Sequence, residues 1–519
     1  MKTIKLNLSV EEYHTPELVR AAAAKALGLT SGEISHVEVV RRSLDSRRAI
    51  RYNAEVEVYM LGEAFVPPNY SSFYKDCRNG EPVVIVGAGP AGLFAALHAL
   101  ELGMKPVIVE RGKPVEERRK DITWMVRQGE VNPDSNWCFG EGGAGTYSDG
   151  KLFTRSTKRG NVDDVLRKFV EHGADPKIMI DAHAHIGTDR LPSIISNMRS
   201  TVVQHGGEIH FGHRVEDFIL RGGSVTGVRC AGGVTFEGRA VLLATGHSAR
   251  DIYMLFHRKG WLLQPKPFAL GVRVEHPQQL IDDIQYHGRN HSPLLPPAAY
   301  SLTTQAGGHG VFSFCMCPGG VIVPASTQDG QQVVNGMSNA SRSSRFANSG
   351  IAVTVSPEDV AQYEKYGVLS LLRFQQDVEH RVFEAAGGGL RAPGQRLTDF
   401  CERRSTGRLN RSNYMGEYVH GELDAMLPDF VCESLRQAFR IFGQKMRGFY
   451  TSEASLLAVE SRTSSPVRIP RDENGQHPQL PGLFPCGEGA GYAGGIVSSA
   501  IDGIRQIELI MALVNNNHS

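Results

Sequence analysis

Three stretches of this sequence have the spacing G-x-G-x-x-G, beginning at Gly87, Gly140 and Gly489. Without side chains, the backbone N–H groups of such a turn can approach a phosphate closely, and a helix that starts there turns its positive dipole end toward the anion. The spacing alone is a weak signal. The residues around each stretch therefore have to show which of the three holds a nucleotide.

The first stretch has the full context of a dinucleotide-binding turn. A β-branched run at 83–86 leads directly into residues 87–92, and an apolar helical pattern follows. In such a unit Gly87 permits the tight turn, Gly89 lets the backbone approach a pyrophosphate, and Gly92 lets the helix pack against the strand. This stretch is therefore predicted to bind a dinucleotide.

A second predicted strand, residues 106–109, completes this unit and ends in an acid. A carboxylate at that position can accept hydrogen bonds from ribose hydroxyls. The residues that we predict to contact the nucleotide here are Gly87, Ala88, Gly89, Pro90, Ala91, Gly92, Glu110 and Arg111.

The third stretch also lies between a strand-like run and a helical pattern. Because the sequence ends at Ser519, we expect no further βα unit, and the strand should join the first sheet. The helix would then point its N-terminus at a distant part of the same cofactor. FAD fits this arrangement, since its flavin lies far from its AMP half and gains negative charge on reduction. The residues predicted to contact FAD here are Gly487, Glu488, Gly494, Gly495 and Ile496.

The middle stretch follows polar, turn-rich residues instead of a strand. We interpret it as a loop that contacts the ribityl or flavin part of FAD through Gly142 and Gly143, the alternative being an ordinary glycine-rich surface turn. Residues 206–218 are predicted to form a strand pair in which Val215 offers backbone hydrogen bonds. Residues 241–246 read as a buried strand whose small end residues allow close approach of the cofactor: Ala244, Thr245 and Gly246.

These elements predict an α/β protein with a Rossmann-like FAD-binding domain, an inserted α+β substrate domain and a small N-terminal α+β module. The N-terminal module is assigned to residues 1–78, and a turn-rich linker ends it. The FAD-binding domain is expected in two parts, 79–254 and 455–519. The substrate domain is expected at 255–454.

The catalytic residues stay open, with three weak candidates. Cys315 and Cys317 would share one face of a regular strand, either as a redox pair or as two small buried residues, and a disulfide between them would be strained in an extended strand. Lys151 would lie near the flavin N5 atom or the pyrophosphate, or in a solvated turn. Asp181, His183 and His185 alternate as on one strand face, but no further ligand is evident, and no metal is predicted.

Composition and net charge limit the classes of partner and the location that we expect for the protein. The formal net charge is +1, which gives no reason to expect attraction to nucleic acid or anionic membranes. The eight cysteines include no CxxC pair. The apolar residues 82–100 contain the glycine turn and therefore read as strand, turn and helix instead of a membrane span. No secretory signal is read at the N-terminus, so we expect a cytoplasmic protein.

The whole pattern resembles the FAD-binding proteins related to glutathione reductase, and more narrowly the bacterial FAD-dependent, or NAD(FAD)-utilising, dehydrogenases. The segments that carry the resemblance are VIVGAGPAGLFAAL (84–97), VERG (109–112), GEGGAGTYSDGKL (140–152), LLATGHSARD (242–251), FSFCMCPGG (312–320), VNGMSN (334–339), VESRTSSPVRI (459–469) and PCGEGAGYAGGIVSSAIDG (485–503). Pyridine nucleotide-disulfide reductases have a redox C-x4-C and a second Rossmann unit, and this sequence has neither. The resemblance implies no substrate.

The sequence thus predicts an oxidoreductase that transfers a hydride or electrons between a small molecule and FAD at flavin N5. A transiently bound NAD(P)H and an oligomer stay open. The alternative is an RNA- or protein-binding factor with a structural or redox-sensing FAD. Its binding surface would be the N-terminal module, where arginines cluster at Arg41, Arg42, Arg47, Arg48 and Arg51, although acids nearly balance the basic residues there.

Overall fold

The structure, a computed structural model, describes residues 1–153, 160–288 and 291–516. The first 60 residues form a module with an antiparallel sheet in the order β1-β3-β2. Its α2 helix packs Val19 and Ala23, which are four residues apart and therefore on one helix face, into the module's core. The elements of this N-terminal module are β1 (Lys2–Leu8), α1 (Val10–His14), α2 (Pro16–Leu27), β2 (Ile34–Asp45) and β3 (Arg51–Met60).

The next region alternates strands and helices, as the sequence predicts. Its elements are β4 (Pro82–Val86), α3 (Pro90–Leu102), β5 (Lys105–Val109), α4 (Val115–Gln128), α5 (Val162–Glu171), α6 (Leu191–Gln204), β6 (Glu208–His210), β7 (Val215–Arg221), β8 (Ser224–Cys230), β9 (Thr235–Glu237), β10 (Val241–Leu243) and α7 (Arg250–Lys259).

The remainder of the chain begins with long strands and ends with a long helix. Its elements are β11 (Gln264–Pro265), β12 (Phe268–Pro277), α8 (Gln278–Gln285), β13 (Thr303–Ala306), β14 (His309–Cys317), β15 (Val321–Pro324), β16 (Val334–Met337), β17 (Phe346–Val355), α9 (Ser370–Ala385), β18 (Arg391–Arg396), α10 (Leu397–Cys401), β19 (Glu417–His420), α11 (Leu423–Met426), α12 (Asp429–Lys445), β20 (Ser455–Glu460), β21 (Val467–Arg468), β22 (Leu483–Pro485) and α13 (Ile496–Asn516).

A five-stranded parallel sheet carries the first and third glycine turns, in the order β22-β10-β4-β5-β6. The strand before the third glycine stretch, β22, pairs with β10 at one edge of this sheet, so the predicted return of the chain to the first sheet is confirmed. Helix α13 then packs along α3. At their contact a side chain on Gly503 would meet the backbone of Ala91, its Cβ 3.0 Å from the carbonyl carbon. The α/β fold class is confirmed.

A second, seven-stranded sheet has the order β13-β14-β17-β12-β20-β18-β19 and is antiparallel except between β18 and β19. Apolar faces of helices α9 and α12 belong to the same core as this sheet. Strand β20 lies between β12 and β18, so the chain returns to the parallel sheet only at β22. That is later than the boundary at residue 455 expected from the sequence.

The predicted strand pair at 206–218 is wrong. Strand β6 forms the edge of the parallel sheet, whereas β7 pairs with β8 in a separate three-stranded antiparallel sheet. Gly212, with φ at +73°, lies in the turn between them and is one of the left-handed positions that favour glycine. The turn redirects the chain from one sheet to the other instead of closing a hairpin.

Candidate functional site

A cavity of about 360 Å³ lies where the carboxyl ends of the parallel strands face the seven-stranded sheet. Residues far apart in the sequence line it, and they come from all three glycine stretches. The predicted cofactor-binding residues in its wall are Gly87, Gly89, Pro90, Ala91, Glu110, Arg111, Gly143, Val215, Ala244, Thr245, Gly246, Gly487, Glu488, Gly494, Gly495 and Ile496. Two of the catalytic candidates, Lys151 and Cys315, are also in the wall.

Three predicted cofactor-binding residues do not line the cavity, and each instead supports a turn. The N–H of Ala88 donates to Glu110 at 2.8 Å, and the carbonyl of Ala88 accepts from the N–H of Gly142 at 2.7 Å. Gly92 lies inside helix α3, where an added Cβ would be 3.2 Å from the Ile85 side chain and closer still to the Gly87 carbonyl. These glycines are required by the packing of the protein itself.

The first turn has the geometry predicted for it. Gly87 has φ at +106°, and an added Cβ would stand 2.5 Å from the carbonyl oxygen of Ala244 on the neighbouring strand. Its N–H donates to the carbonyl of Val109 at 2.9 Å, which ties the turn to β5. Helix α3 begins immediately afterward, so its unpaired N–H groups face the cavity.

Glu110 joins the first and middle glycine stretches, a role the sequence did not suggest. Its carboxylate is 95% buried and accepts three backbone N–H groups: from Ala88 at 2.8 Å, Gly112 at 2.8 Å and Gly140 at 3.0 Å. Oε1 accepts two of these N–H groups and Oε2 accepts one, so Oε2 keeps one acceptor position, because a carboxylate has about four in all. The side chain can thus both brace the turns and meet a ribose hydroxyl.

The middle stretch is held from beneath by Arg118, a residue that sequence reasoning missed. This arginine is fully buried and donates to the carbonyls of Asn136 at 2.8 Å, Trp137 at 2.9 Å and Glu141 at 2.7 Å. The loop around Gly140 is therefore packed in the protein interior, and the alternative of an ordinary surface turn is wrong. Its position within the polar pattern of α4 gave no signal of this contact.

Arg111 contacts carboxylates of the protein itself. Its guanidinium donates to Asp134 at 2.8 Å and to Asp251 at 3.1 Å and stacks on the Phe139 ring, 4.1 Å from the centroid. Arg214 donates to the same Asp134 at 3.1 Å and also lines the cavity. These paired charges form a polar wall beside the end of β5.

Some glycines of the wall leave space that nothing in the protein fills. A Cβ on Gly89 would have one neighbour, the Gly143 Cα at an ordinary 3.8 Å, and a Cβ on Gly494 or Gly495 would have none within 4 Å. None of the three has a left-handed φ. Because neither packing nor backbone strain explains these glycines, the open space fits a large ligand that contacts the backbone, as FAD would at both ends of the cavity.

The opposite wall of the cavity includes Phe314 and Cys315 of the seven-stranded sheet and Asn335 of the two-stranded β15-β16 sheet. Lys151 crosses from the parallel-sheet region and donates to the carbonyl of Met316. Cys317, the third catalytic candidate, is fully buried behind this wall. Strand β14 shifts register here, so the two cysteines are not alternate residues of a regular strand.

Two titratable groups beside the third glycine stretch favour a neutral form. Burial raises the pKa of Glu488 to about 7, and the nearby Cys315 adds to the shift. Burial, with Arg462 and Arg250, lowers the pKa of His247 to about 3, so this imidazole is neutral 3.6 Å from Glu488. Glu488 precedes α13 by eight residues and is not a carboxylate of its first turn. It can hold or release a proton near neutral pH.

The alternating polar residues of 181–185 have contacts within the protein. Asp181 pairs with Arg42, and His185 forms an isolated bridge with Lys151, so 181–185 is not a strand with one polar face. Across residues 1–153, 160–288 and 291–516, no group of three or more His, Cys, Asp or Glu side chains is placed to hold a metal ion.

Sequence reasoning left several wall residues without a role: Arg214, His247, Asp251, Phe314, Asn335, Arg462 and Thr463. All of them except Arg214 lie in segments that carried the family resemblance: His247 and Asp251 in LLATGHSARD, Phe314 in FSFCMCPGG, Asn335 in VNGMSN, and Arg462 and Thr463 in VESRTSSPVRI. Those segments were the available signal, but nothing in their local pattern placed them beside the glycine turns.

Models of known protein families match three parts of the chain. A model described as "FAD binding domain" matches residues 82–132, and one described as "FAD-dependent protein, C-terminal domain-like" matches residues 267–463. A domain of unknown function matches residues 1–59. The parallel sheet, its glycine turn and these matches define the class: the chain is a flavoprotein that binds FAD.

A relative covers almost the whole chain. An uncharacterized protein of Clostridium beijerinckii is 37% identical over 527 residues, spanning 98% of this chain and 97% of that protein, so this chain belongs to the same family. A thiamine thiazole synthase of Methanococcus maripaludis is 27% identical over 185 residues, 33% of this chain and 59% of that protein. Among solved structures, the flavin-dependent brominase Bmp2 covers 84% of this chain and 80% of that one at 14% identity and a TM-score of 0.37.

In the described part of the chain, none of the helices is both long enough and apolar enough to span a membrane.

Proposed function

We propose that this flavoprotein oxidises or reduces a small molecule by hydride or electron transfer at the N5 atom of FAD. The observation that carries the proposal is the shared cavity. Two segments 400 residues apart, around Gly89 and Gly495, line the same space, and the seven-stranded sheet closes it from the other side. FAD supplies the redox chemistry when bound. The protein binds it, orients the substrate and excludes water.

In this proposal, different residues of the cavity wall bind different parts of FAD and the substrate. The turn at 87–92 and the N-terminus of α3 hold the pyrophosphate, while Glu110 meets the ribose. Gly495 and the start of α13 contact the far end of the cofactor, where a positive helix end stabilises negative charge. The substrate then lies between this end and the wall around Phe314 and Asn335.

The N-terminal module gives the alternative RNA-binding function little support. Arg42 pairs with Asp181 of the parallel-sheet region, and Arg47 donates to Asp45 at 2.6 Å. The backbone of Arg42 also donates to the Ile180 carbonyl at 2.8 Å, so this part of β2 is an internal contact. We therefore interpret the module as part of the assembled enzyme.

The proposed function is tested by following flavin absorbance in the purified, FAD-loaded protein without oxygen. We expect NADH, NADPH or one member of a metabolite panel to bleach the flavin, or reduced flavin to be reoxidised by one such compound. A protein that takes up FAD but exchanges electrons with no panel member would contradict the proposal. Salt-sensitive retention on RNA that deletion of residues 1–59 abolishes would support the alternative instead.

A further inference from the structure

The segment from Cys315 to Cys317 interrupts the regular ladder of β14. The pairing of β14 with β17 shifts register between Phe314 and Cys317, and Cys315 has φ at +44°, a left-handed conformation that is rare for cysteine. Bulges of this kind redirect a side chain and occur beside active sites. Here Cys315 is half-buried in the cavity wall, while Cys317 is fully buried behind it.

Two positively charged side chains, those of Arg273 and Lys151, hold this irregular segment in place. Arg273 is fully buried, donates to the carbonyl of Cys315 at 2.6 Å and lies 3.6 Å from the Cys317 sulfur. Asn348, which accepts from Arg273 at 2.7 Å, and the buried Glu460 fix the guanidinium in turn. From the FAD-binding side, Lys151 donates to the carbonyl between the two cysteines. The bulge is therefore fixed from both sides.

The two thiols differ in protonation. The Cys317 thiol donates to the carbonyl oxygen of Cys315 at 3.2 Å. The neighbouring Cys317 thiol, together with Lys151 and Arg273, lowers the pKa of Cys315 to about 6, whereas the neighbouring Cys315 and burial raise the pKa of Cys317. At neutral pH the segment thus holds one thiolate at the cavity and one thiol beside it, the pair of states from which a disulfide forms.

We propose that Cys315 and Cys317 are a dithiol–disulfide couple that exchanges two electrons with the FAD of the cavity. This inference rests on the proposed function, since it requires FAD in that space. On oxidation, one S–S bond forms, the Cys317 thiol loses its proton, and two electrons leave the sulfur pair. The electrons and the proton together amount to one hydride equivalent, which oxidised FAD would accept when bound in the cavity. The reverse step restores the thiolate and the thiol.

The test counts electrons in the FAD-loaded protein by anaerobic titration with dithionite after full oxidation. The wild-type protein is expected to take up four electrons per FAD, two for the flavin and two for the disulfide. Cys315→Ser and Cys317→Ser should each take up two. Cys230→Ser removes a cysteine at the end of β8, outside the cavity wall, and should still take up four. Two electrons in the wild type, or two in Cys230→Ser, would overturn the pair.

A second measurement does not depend on the variants folding. Alkylation of the denatured wild-type protein followed by peptide mass spectrometry should label both Cys315 and Cys317 after reduction and neither after reoxidation. Equal labelling in both states, with FAD bound and reducible by a substrate, would overturn the couple and leave the oxidoreductase function standing. Failure to bind FAD at all would overturn both.

The ionisation of Cys315 gives a separate prediction. Because the thiolate is the reactive form, alkylation of native protein at Cys315 by iodoacetamide should reach half its maximal rate near pH 6 and stay fast above it. Lys151→Met removes a neighbouring positive charge, so it should move this midpoint to higher pH. Lys5→Met, on the exposed side of β1, should not move it. A midpoint near that of an ordinary thiol, about pH 8.5, would contradict the proposed thiolate.

Discussion

At the scale of single residues, Glu110 connects separate segments of the candidate site. One carboxylate accepts backbone N–H groups from two of the three glycine stretches and from the residue two positions after it. The sequence predicts a ribose contact for this acid because of its position at the end of a second strand. The structure adds that the same side chain shapes the turns around the nucleotide.

Replacing Glu110 by glutamine should therefore weaken FAD binding. The amide nitrogen would face an N–H donor, and a lost hydrogen bond to a buried charged group corresponds to about 1.5–3 kcal/mol. We expect the FAD dissociation constant to rise at least about tenfold, measured by flavin fluorescence on titrating the apoprotein. The exposed Glu117→Gln on α4 is the control and should bind as the wild type does. Wild-type affinity in Glu110→Gln would refute the bracing role.

At the scale of elements, the turn between β4 and α3 contains two glycines that are required for different reasons. Gly92 is needed because its neighbours leave no room for a side chain, whereas Gly89 has room on the cavity side. The first requirement concerns the fold, and the second concerns whatever occupies the cavity. Both glycines belong to the same motif, so the sequence alone does not separate their roles.

Replacing each of these two glycines by serine should then change a different property of the protein. Gly89→Ser places a favourable N-cap residue at the start of α3 and should leave the melting temperature of the apoprotein within a few degrees of the wild type, while FAD affinity falls at least about tenfold. Gly92→Ser should lower the melting temperature of the apoprotein itself. Thermal unfolding and FAD titration of both variants check this. Full FAD affinity in Gly89→Ser would argue that the pyrophosphate lies elsewhere.

At the scale of the whole molecule, a buried ionic network joins the two large sheets. Glu379 of α9 accepts both guanidinium nitrogens of Arg250, at the start of α7, at 2.8 Å. It also accepts from Arg462 at 3.3 Å, which in turn lines the cavity. Burial works against the charge of Glu379, but the two arginines outweigh it and lower its pKa to about 2.

Removing the negative charge of Glu379 should lower the free energy of unfolding of the protein. Glu379→Gln leaves two buried arginines without a counter-charge, and breaking a buried pair in this way costs on the order of 3–5 kcal/mol. Glu384→Gln on the exposed side of the same helix should change stability by less than about 0.5 kcal/mol. Urea unfolding of both variants measures the difference. An unchanged free energy of unfolding in Glu379→Gln would show that the network does not hold the two sheets together.

The network also predicts how acid affects stability. Because the folded pKa of Glu379 lies below that of an unfolded glutamate, about 4.3, its contribution is fully present above that pH and is lost as the pH falls toward 2. Glu379→Gln should therefore be the less stable protein at pH 7 but approach the wild type between about pH 4 and pH 2.

The sequence by itself determined the α/β class, the dinucleotide turn at 87–92 and the choice of FAD, because each depends on local rules: strand and helix periodicity, glycine at a tight turn, and a helix beginning at a phosphate. The identity of the site residues, the cytoplasmic location and the assembly state stay predictions. The sequence misplaced the strands at 206–218 and did not connect Arg118 or Arg273 with the site, since those depend on contacts between residues distant in the chain.

Tertiary structure alone decided what faces the cofactor cavity from the other side. The cysteines looked like neighbours on a flat strand, but a register shift between two long strands put Cys315 in the wall and Cys317 behind it. Asp181 lies in an alternating polar run for which the sequence predicts no metal, and only the structure shows its partner, Arg42, 139 positions away. A side chain's local pattern fixes its backbone conformation, whereas its partners are fixed by how whole sheets pack, and that packing has no local signature.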